Sequence, residues 1–316
     1  MANAAANLTP VTLELGGKSP VIVFDDYDIQ TAASRIAHGK GFNSGQICIA
    51  PDYAFVPESK VAEFVKALKQ SHIAMYGEIK GNADYTSLVN GAQHQRFNEL
   101  LEDAKQKGAT ITQCLPVGEG RKTPLYVATN LTPNMRICQE EIFGPLLPVH
   151  SYRDIDDVIA YITERPRPLA CYLFSHDKAV REHVLEQTHS GGVTINDWGW
   201  HVLNHSVPFG GVGNSGIGNY HGEEGFRELS HARSVLQMRG WFPIQLFSPL
   251  MAPGFRSWLC ALLSESQIRV SVNAVSNSSP SSHKKFKILV LQESSARQRG
   301  LASYTQKGDL RCTTSL

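Results

Sequence analysis

The residues of this sequence best suited to chemistry are a cysteine, Cys48, and a glutamate, Glu14. Cys48 lies in FNSGQICIAPDY, residues 42–53. Ser44 and Gly45 place little bulk before the thiol, which suits a nucleophile that must admit a carbonyl compound. The alternative for any single cysteine is a small core hydrophobe. Glu14 closes a strand-like run in LELGGK and is followed by Gly16 and Gly17. A solvated strand end is the ordinary reading of a carboxylate there, although two following glycines give it a poor reason to sit at that point.

Other patterns carry less. Gly211, Gly213 and Gly216 match G-x-G-x-x-G, but no strand precedes them, no helix follows directly, and no acidic residue stands about twenty positions on, as a dinucleotide fingerprint requires. His201 and His205 are four apart and lack further spaced ligands, so surface or core positions are expected and no metal is assigned. The six cysteines (Cys48, Cys114, Cys138, Cys171, Cys260, Cys312) form no CxxC pair, which excludes the strong zinc and redox signatures.

The elements that must position Cys48 and Glu14 alternate in type. VTLEL (11–15) and PVIVF (20–24) read as two strands around a tight connection at Gly16 and Gly17. From Asp28, a helix N-cap, Ile29, Ala32, Ala33, Ile36 and Ala37 form one apolar helical face. Val61, Phe64, Val65 and Leu68 form a second face, and Phe97, Leu100, Leu101 and Ala104 a third that ends at Gly108. TITQCL, PLLPVHSY, ACYLFS and GGVTIN are strand-like, with helices after Asp154 and Asp177. The pattern predicts an α/β fold with an open, mostly parallel sheet and flanking helices, its ligands gathered at the carboxyl ends of strands. From about Ser271 the chain turns serine-rich and loses periodicity, so a disordered C-terminal tail is expected.

Composition narrows the function classes. A formal net charge of +1 and a charged fraction of 19% offer no basis for a nucleic-acid or anionic-membrane partner. The longest apolar stretch, from Trp241, is interrupted by Pro243, Pro249, Pro253 and Arg256, so no membrane-spanning helix is expected. The amino terminus has no basic n-region or apolar h-region, and a cytoplasmic location with reduced thiols is expected. A small-molecule substrate fits these limits.

LELGGKSP (13–20), GQIC (45–48), EEIFGP (140–145) and PFGGVGNSG (208–216) occur in the order found in aldehyde dehydrogenases. From about Leu8 to about Pro243 the chain resembles that family. CIAPDY after the cysteine and GNSGIGNYHGEEGF further on resemble its class 3 branch, which includes coniferyl-aldehyde dehydrogenases. The resemblance implies that Cys48 attacks an aldehyde to give a thiohemiacetal and then a thioester, with hydride passing to NAD or NADP. Glu14 would be the general base for thioester hydrolysis. It further implies that Glu141 holds the nicotinamide-side ribose, that Phe143 packs near the ring, and that Phe209 lines an aldehyde pocket for aromatic or medium-chain substrates. Glu140 would be a bystander.

In that family most of the cofactor-binding domain precedes LELGGK, which begins here at residue 13. The resemblance therefore predicts a remnant of the cofactor domain at 1–17, a catalytic domain at 18–225, a packing segment at 226–265 and a tail at 266–316. It predicts an amino-terminal truncation, impaired NAD or NADP binding and poor solubility. The exposed sheet is expected to favour association with another subunit, of the same kind or a relative. A non-catalytic remnant and a residual cysteine-dependent esterase are the competing expectations.

Overall fold

The computed structural model describes residues 1–237 and, beyond them, two short strands at Ile268–Val270 and Val290–Gln292 that pair antiparallel. The expected tail otherwise lies outside the described residues. The chain divides into one unit at Met1–Ser230 and a second at His231–Leu316. The first contains all the candidate residues.

A one-turn helix α1 (Ala2–Ala5) precedes β1 (Leu13–Glu14) and β2 (Pro20–Val23). Helix α2 (Ile29–Gly41) leads through the Cys48 loop to β3 (Tyr53–Pro57), followed by α3 (Val61–Tyr76) and α4 (Gly91–Gln106). Then come β4 (Thr110–Gln113), β5 (Tyr126–Thr129), α5 (Arg136–Gln139), β6 (Leu146–Tyr152) and α6 (Ile155–Thr163). The unit ends with β7 (Ala170–Phe174), α7 (Lys178–Gln187), β8 (Gly192–Ile195), β9 (Gly216–Ile217) and α8 (Gly222–Glu228).

Seven strands form one sheet in the order β4-β5-β6-β3-β2-β7-β8. Every neighbouring pair is parallel except β4 with β5, which places the antiparallel pair at one edge. The central strands are apolar on both faces because helices cover both sides. Val21 and Val23 pack into a core with Ile36, Phe64 and Leu68, while Ile22 and Phe24 join Val158, Ile162 and Val184 on the opposite face. A third core joins α4 to β5 and α5 through Phe97, Leu100 and Ala128.

The helices begin where the side-chain chemistry dictates. Asp28, Asp154 and Asp177 each accept a hydrogen bond from an amide of the first turn, and Asn90 does the same for α4. One sequence expectation fails here. VTLEL is a strand over Leu13–Glu14 alone, and these pair antiparallel with Ile217 and Gly216 in a separate two-stranded ribbon. Its partner comes from far along the chain, and that partner sets how much of the segment is strand.

Candidate active site

A knot beneath three strands sets the geometry. The segments entering β2, β3 and β6 carry Glu14, Cys48 and Glu141, and these strands are adjacent and parallel in the sheet. The candidate residues therefore converge at the amino ends of the strands. This corrects the expectation of a site at the carboxyl ends. The rule for open parallel sheets concerns turns that leave strands, whereas here the long segments entering them bear the candidate groups.

Lys18 and Asp52, each next to the entry of a strand, tie the three segments together. Their side chains form a nearly buried ion pair. The Lys18 ammonium also donates to the carbonyls of Ile137 at 2.8 Å and Glu140 at 3.0 Å, and Asp52 Oδ1 accepts from the Ile142 amide at 2.9 Å. The pair is fully hydrogen-bonded, as a buried ion pair must be to repay its desolvation. Neither residue was singled out from sequence, although both lie inside the quoted motifs LELGGKSP and CIAPDY.

Cys48 follows α2 through a left-handed run at Asn43, Ser44 and Gly45, with φ of 49°, 53° and 70°. At Gly45 a Cβ would come within 2.5 Å of the Gly144 carbonyl oxygen, so glycine lets the thiol loop lie directly on the turn after Glu141. Cys48 is partly buried and packs against the core that contains Trp198 and Phe209. Burial raises its pKa, and the carboxylates of Glu14 and Glu141 raise it further, while the amides of Cys48 and Ile49 act in the opposite direction. The Tyr172 hydroxyl, reaching from β7, donates to the Ile49 carbonyl just beyond the thiol.

Gly16 is the meeting point. A Cβ placed there would stand 3.2 Å from both carboxylate oxygens of Glu141 and 3.6 Å from Cys48 Cβ. The structure thus brings Glu141 and Cys48 to one small opening that a side chain would fill. The Glu141 carboxylate accepts from the Gly17 amide, and burial, followed by the negative charge of Asp52, pushes its pKa up to about 7. Buried Lys40, held down to about 8 by desolvation, supplies an opposing positive charge.

Glu14 is more open, and partial burial raises its carboxyl above the usual range. Its strand partner Gly216 has no room for a Cβ, which would lie 2.3 Å from the Leu13 carbonyl oxygen. Tyr220 feels the charges of both Glu14 and Cys48, which places the three in one electrostatic neighbourhood.

Phe143 is exposed at 42% in a left-handed conformation with φ of 49°, a costly backbone state for a bulky residue and one concentrated at functional sites. Phe209 is instead buried, stacked between His201 and His221 with centroids 5.6 Å and 5.9 Å away. Glu140 turns away to Arg96 and Arg136. Arg96 continues to the carbonyls of Glu141 and Ile142 and so fixes the backbone that carries Glu141 and Phe143.

The sequence profile described as the aldehyde dehydrogenase family matches residues 1–235. A probable coniferyl aldehyde dehydrogenase of Pseudomonas aeruginosa is 50% identical over 235 residues, covering 74% of this chain and 49% of that protein. Among solved structures, the substrate-bound AldH of Staphylococcus aureus is similar with a TM-score of 0.72 at 37% identity, over 83% of this chain and 57% of the other. Betaine aldehyde dehydrogenase of the same organism, solved with NAD+, gives 0.66 at 32% identity, over 77% of this chain and 50% of the other. The chain spans about half the length of the curated relatives it matches.

Proposed function

The chain belongs to the aldehyde dehydrogenase family, and we propose that it serves the oxidation of an aldehyde to a carboxylic acid with NAD or NADP, using Cys48 as nucleophile and Glu14 as general base. The observation that carries this reading is the Gly16 opening, where a thiol-bearing side chain and the Glu141 carboxylate face one point.

Cys48 Sγ adds to the aldehyde carbon, and the carbonyl electron pair moves onto oxygen to give a thiohemiacetal. When that carbon gives up hydride, the oxygen pair re-forms the carbonyl and a thioester remains on Cys48. Glu14 then takes a proton from water as the water attacks the thioester, the carbon–sulfur bond breaks, and the thiolate is released with the acid. The nicotinamide cofactor, when bound, supplies the hydride acceptor. Glu141 would hold its ribose hydroxyls and Phe143 would pack near its ring. The Gly16 cradle fits this assignment because it keeps both Glu141 oxygens free of side-chain bulk.

For substrate we favour aromatic or medium-chain aldehydes. Phe42 and Trp200 are about half exposed and each contacts Trp198, with centroid separations of 6.0 Å and 6.4 Å from it, and Trp198 belongs to the same core as Cys48 and Phe209. Phe209 would form the inner wall of the aldehyde pocket. Partners would be the aldehyde and a further subunit. A cytoplasmic location remains part of the proposal; among the described residues no helix is long and apolar enough to cross a membrane.

A cysteine-dependent esterase is a second reading, because the proposed nucleophile and the proposed base both lie on this chain. The deciding experiment follows reduced-nicotinamide absorbance with an aromatic aldehyde and NAD or NADP, beside hydrolysis of an activated aryl ester, in the parent chain and in Cys48→Ser. Cofactor reduction that vanishes in Cys48→Ser supports the dehydrogenase. Ester turnover alone with the same dependence supports the esterase, and neither activity in a folded sample leaves the non-catalytic remnant that associates with another subunit.

A further inference from the structure

The left-handed run that delivers Cys48 is tied to the 86–89 segment by the side chains of Gln46 and Ser44. Gln46 Nε2 donates to the carbonyls of Asn43 at 3.0 Å and Ser87 at 3.1 Å, while its Oε1 accepts from the Val89 amide at 2.8 Å. The Gln46 amide and the Asn43 side chain close the same turn: Gln46 N–H donates to the Asn43 carbonyl at 3.1 Å and Asn43 Nδ2 donates to the Gln46 carbonyl at 3.0 Å. Buried Ser44 adds a second tie to the same outside segment by donating to the Thr86 carbonyl.

The segment at 86–89 is a fixed post. Leu88 is buried in the core shared by α4, β5 and α5. Its amide donates to the Arg121 carbonyl at 3.1 Å, and the Arg121 guanidinium donates back to the Leu88 carbonyl at 2.8 Å. A left-handed Asn-Ser pair persists only where its surroundings over-determine it, and here the surroundings are this post and the Gln46 carboxamide.

We propose that Gln46 is a positioning residue: its carboxamide latches the thiol loop to the 86–89 segment and thereby aims the amides of Cys48 and Ile49 at the sulfur. The proposal rests on the reading of Cys48 as nucleophile. The carboxamide is suited to the task because it donates twice and accepts once in a single plane. The groups facing the thiol are the carboxylates of Glu14 and Glu141 and the phenols of Tyr172 and Tyr220. Against the two carboxylates, the amides of Cys48 and Ile49 hold the thiolate, and they do so only while the loop keeps its shape.

The test is alkylation of Cys48 by iodoacetamide across pH, followed by peptide mass mapping, in the parent chain and Gln46→Met. Loss of the latch raises the pH midpoint by about half a unit or more and slows acylation by an activated aryl ester about tenfold at neutral pH. Cys114, Cys138 and Cys171 are buried and stay unlabelled in a folded sample. A midpoint that does not rise in a folded Gln46→Met chain overturns the proposal. If the buried thiols label, Val89→Pro, which removes the N–H that Val89 donates to Gln46 and leaves the Gln46 side chain itself unchanged, takes the place of Gln46→Met, and the same two results decide in a chain whose buried thiols stay unlabelled. Alkylation reads the thiol itself, so retained turnover in Cys48→Ser would sink the nucleophile reading without touching the latch.

Discussion

Replacing Gly16 by alanine tests the geometry of the site most directly. The residue has φ of +85°, and the added methyl would lie 3.2 Å from both Glu141 oxygens and 3.6 Å from Cys48 Cβ. Two costs follow and can be separated. The backbone cost of a side chain in the left-handed region is about 1–2 kcal/mol. The contact cost displaces the Glu141 carboxylate by a few tenths of an ångström and strips it of solvent when its pKa is already pushed up to about 7. Displacing the group proposed to hold the cofactor ribose lowers NAD- or NADP-dependent turnover by about tenfold. Urea denaturation reads the first cost, and reduced-nicotinamide formation reads the second. In Gly16→Ala with Glu141→Ala the contact is gone and the backbone cost remains, so stability stays about 1–2 kcal/mol down. Gly16→Ala with parental stability and turnover within twofold would refute the reasoning.

Further outcomes follow from single groups. Glu14→Gln removes the proposed base, so an acetyl adduct on Cys48 accumulates in intact-mass spectra and deacylation slows by at least about a hundredfold; parental deacylation would argue for another base. Lys18→Met leaves the nearly buried Asp52 carboxylate without its cation and costs about 3–5 kcal/mol in urea denaturation. A loss under about 1 kcal/mol would show that the knot is not held by charge. His72 is fully buried with both ring nitrogens unpartnered, and burial holds it down to about 4. The unfolded chain therefore binds a proton that the folded chain refuses, so stability is complete above about pH 6.5 and is lost as pH falls toward 4. Between pH 7.5 and 5.5 the loss through this residue is about 1.3 kcal/mol. His72→Phe keeps a ring against Tyr76 and flattens the pH dependence by that amount, and an unchanged slope would locate the titration elsewhere.

Local chemistry was legible in the sequence wherever it acts over one helical turn. The apolar residues Ile29, Ala32, Ala33, Ile36 and Ala37 are all buried, as are Phe97, Leu100, Leu101 and Ala104, and Asp28, Asp154 and Asp177 cap as their positions predicted. Strand pairing was less legible because it depends on distant partners. Leu13 finds Ile217, which shortens VTLEL to two residues and removes it from the main sheet. The approach of Cys48 to Glu141 and the Lys18–Asp52 knot are tertiary, fixed by which strands lie side by side. No periodicity announces them, although the motifs that suggested the family contain every residue involved. The placement of Phe209 in the core was also hidden, since a lone phenylalanine carries no sign of which side of a pocket wall it occupies.

The two-residue ribbon of β1 and β9 joins a segment near the start of the chain to one more than two hundred positions later. Closing so long a loop is slow relative to forming the helices and the neighbouring strand pairs. During synthesis the thiol loop is made well before Gly216 emerges. The strand carrying Glu14 has no partner until then. Synthesis and folding thus impose an order on the site: the proposed nucleophile is made long before the strand carrying the proposed base is paired, so the two are held together only once nearly all of the matched region has been made.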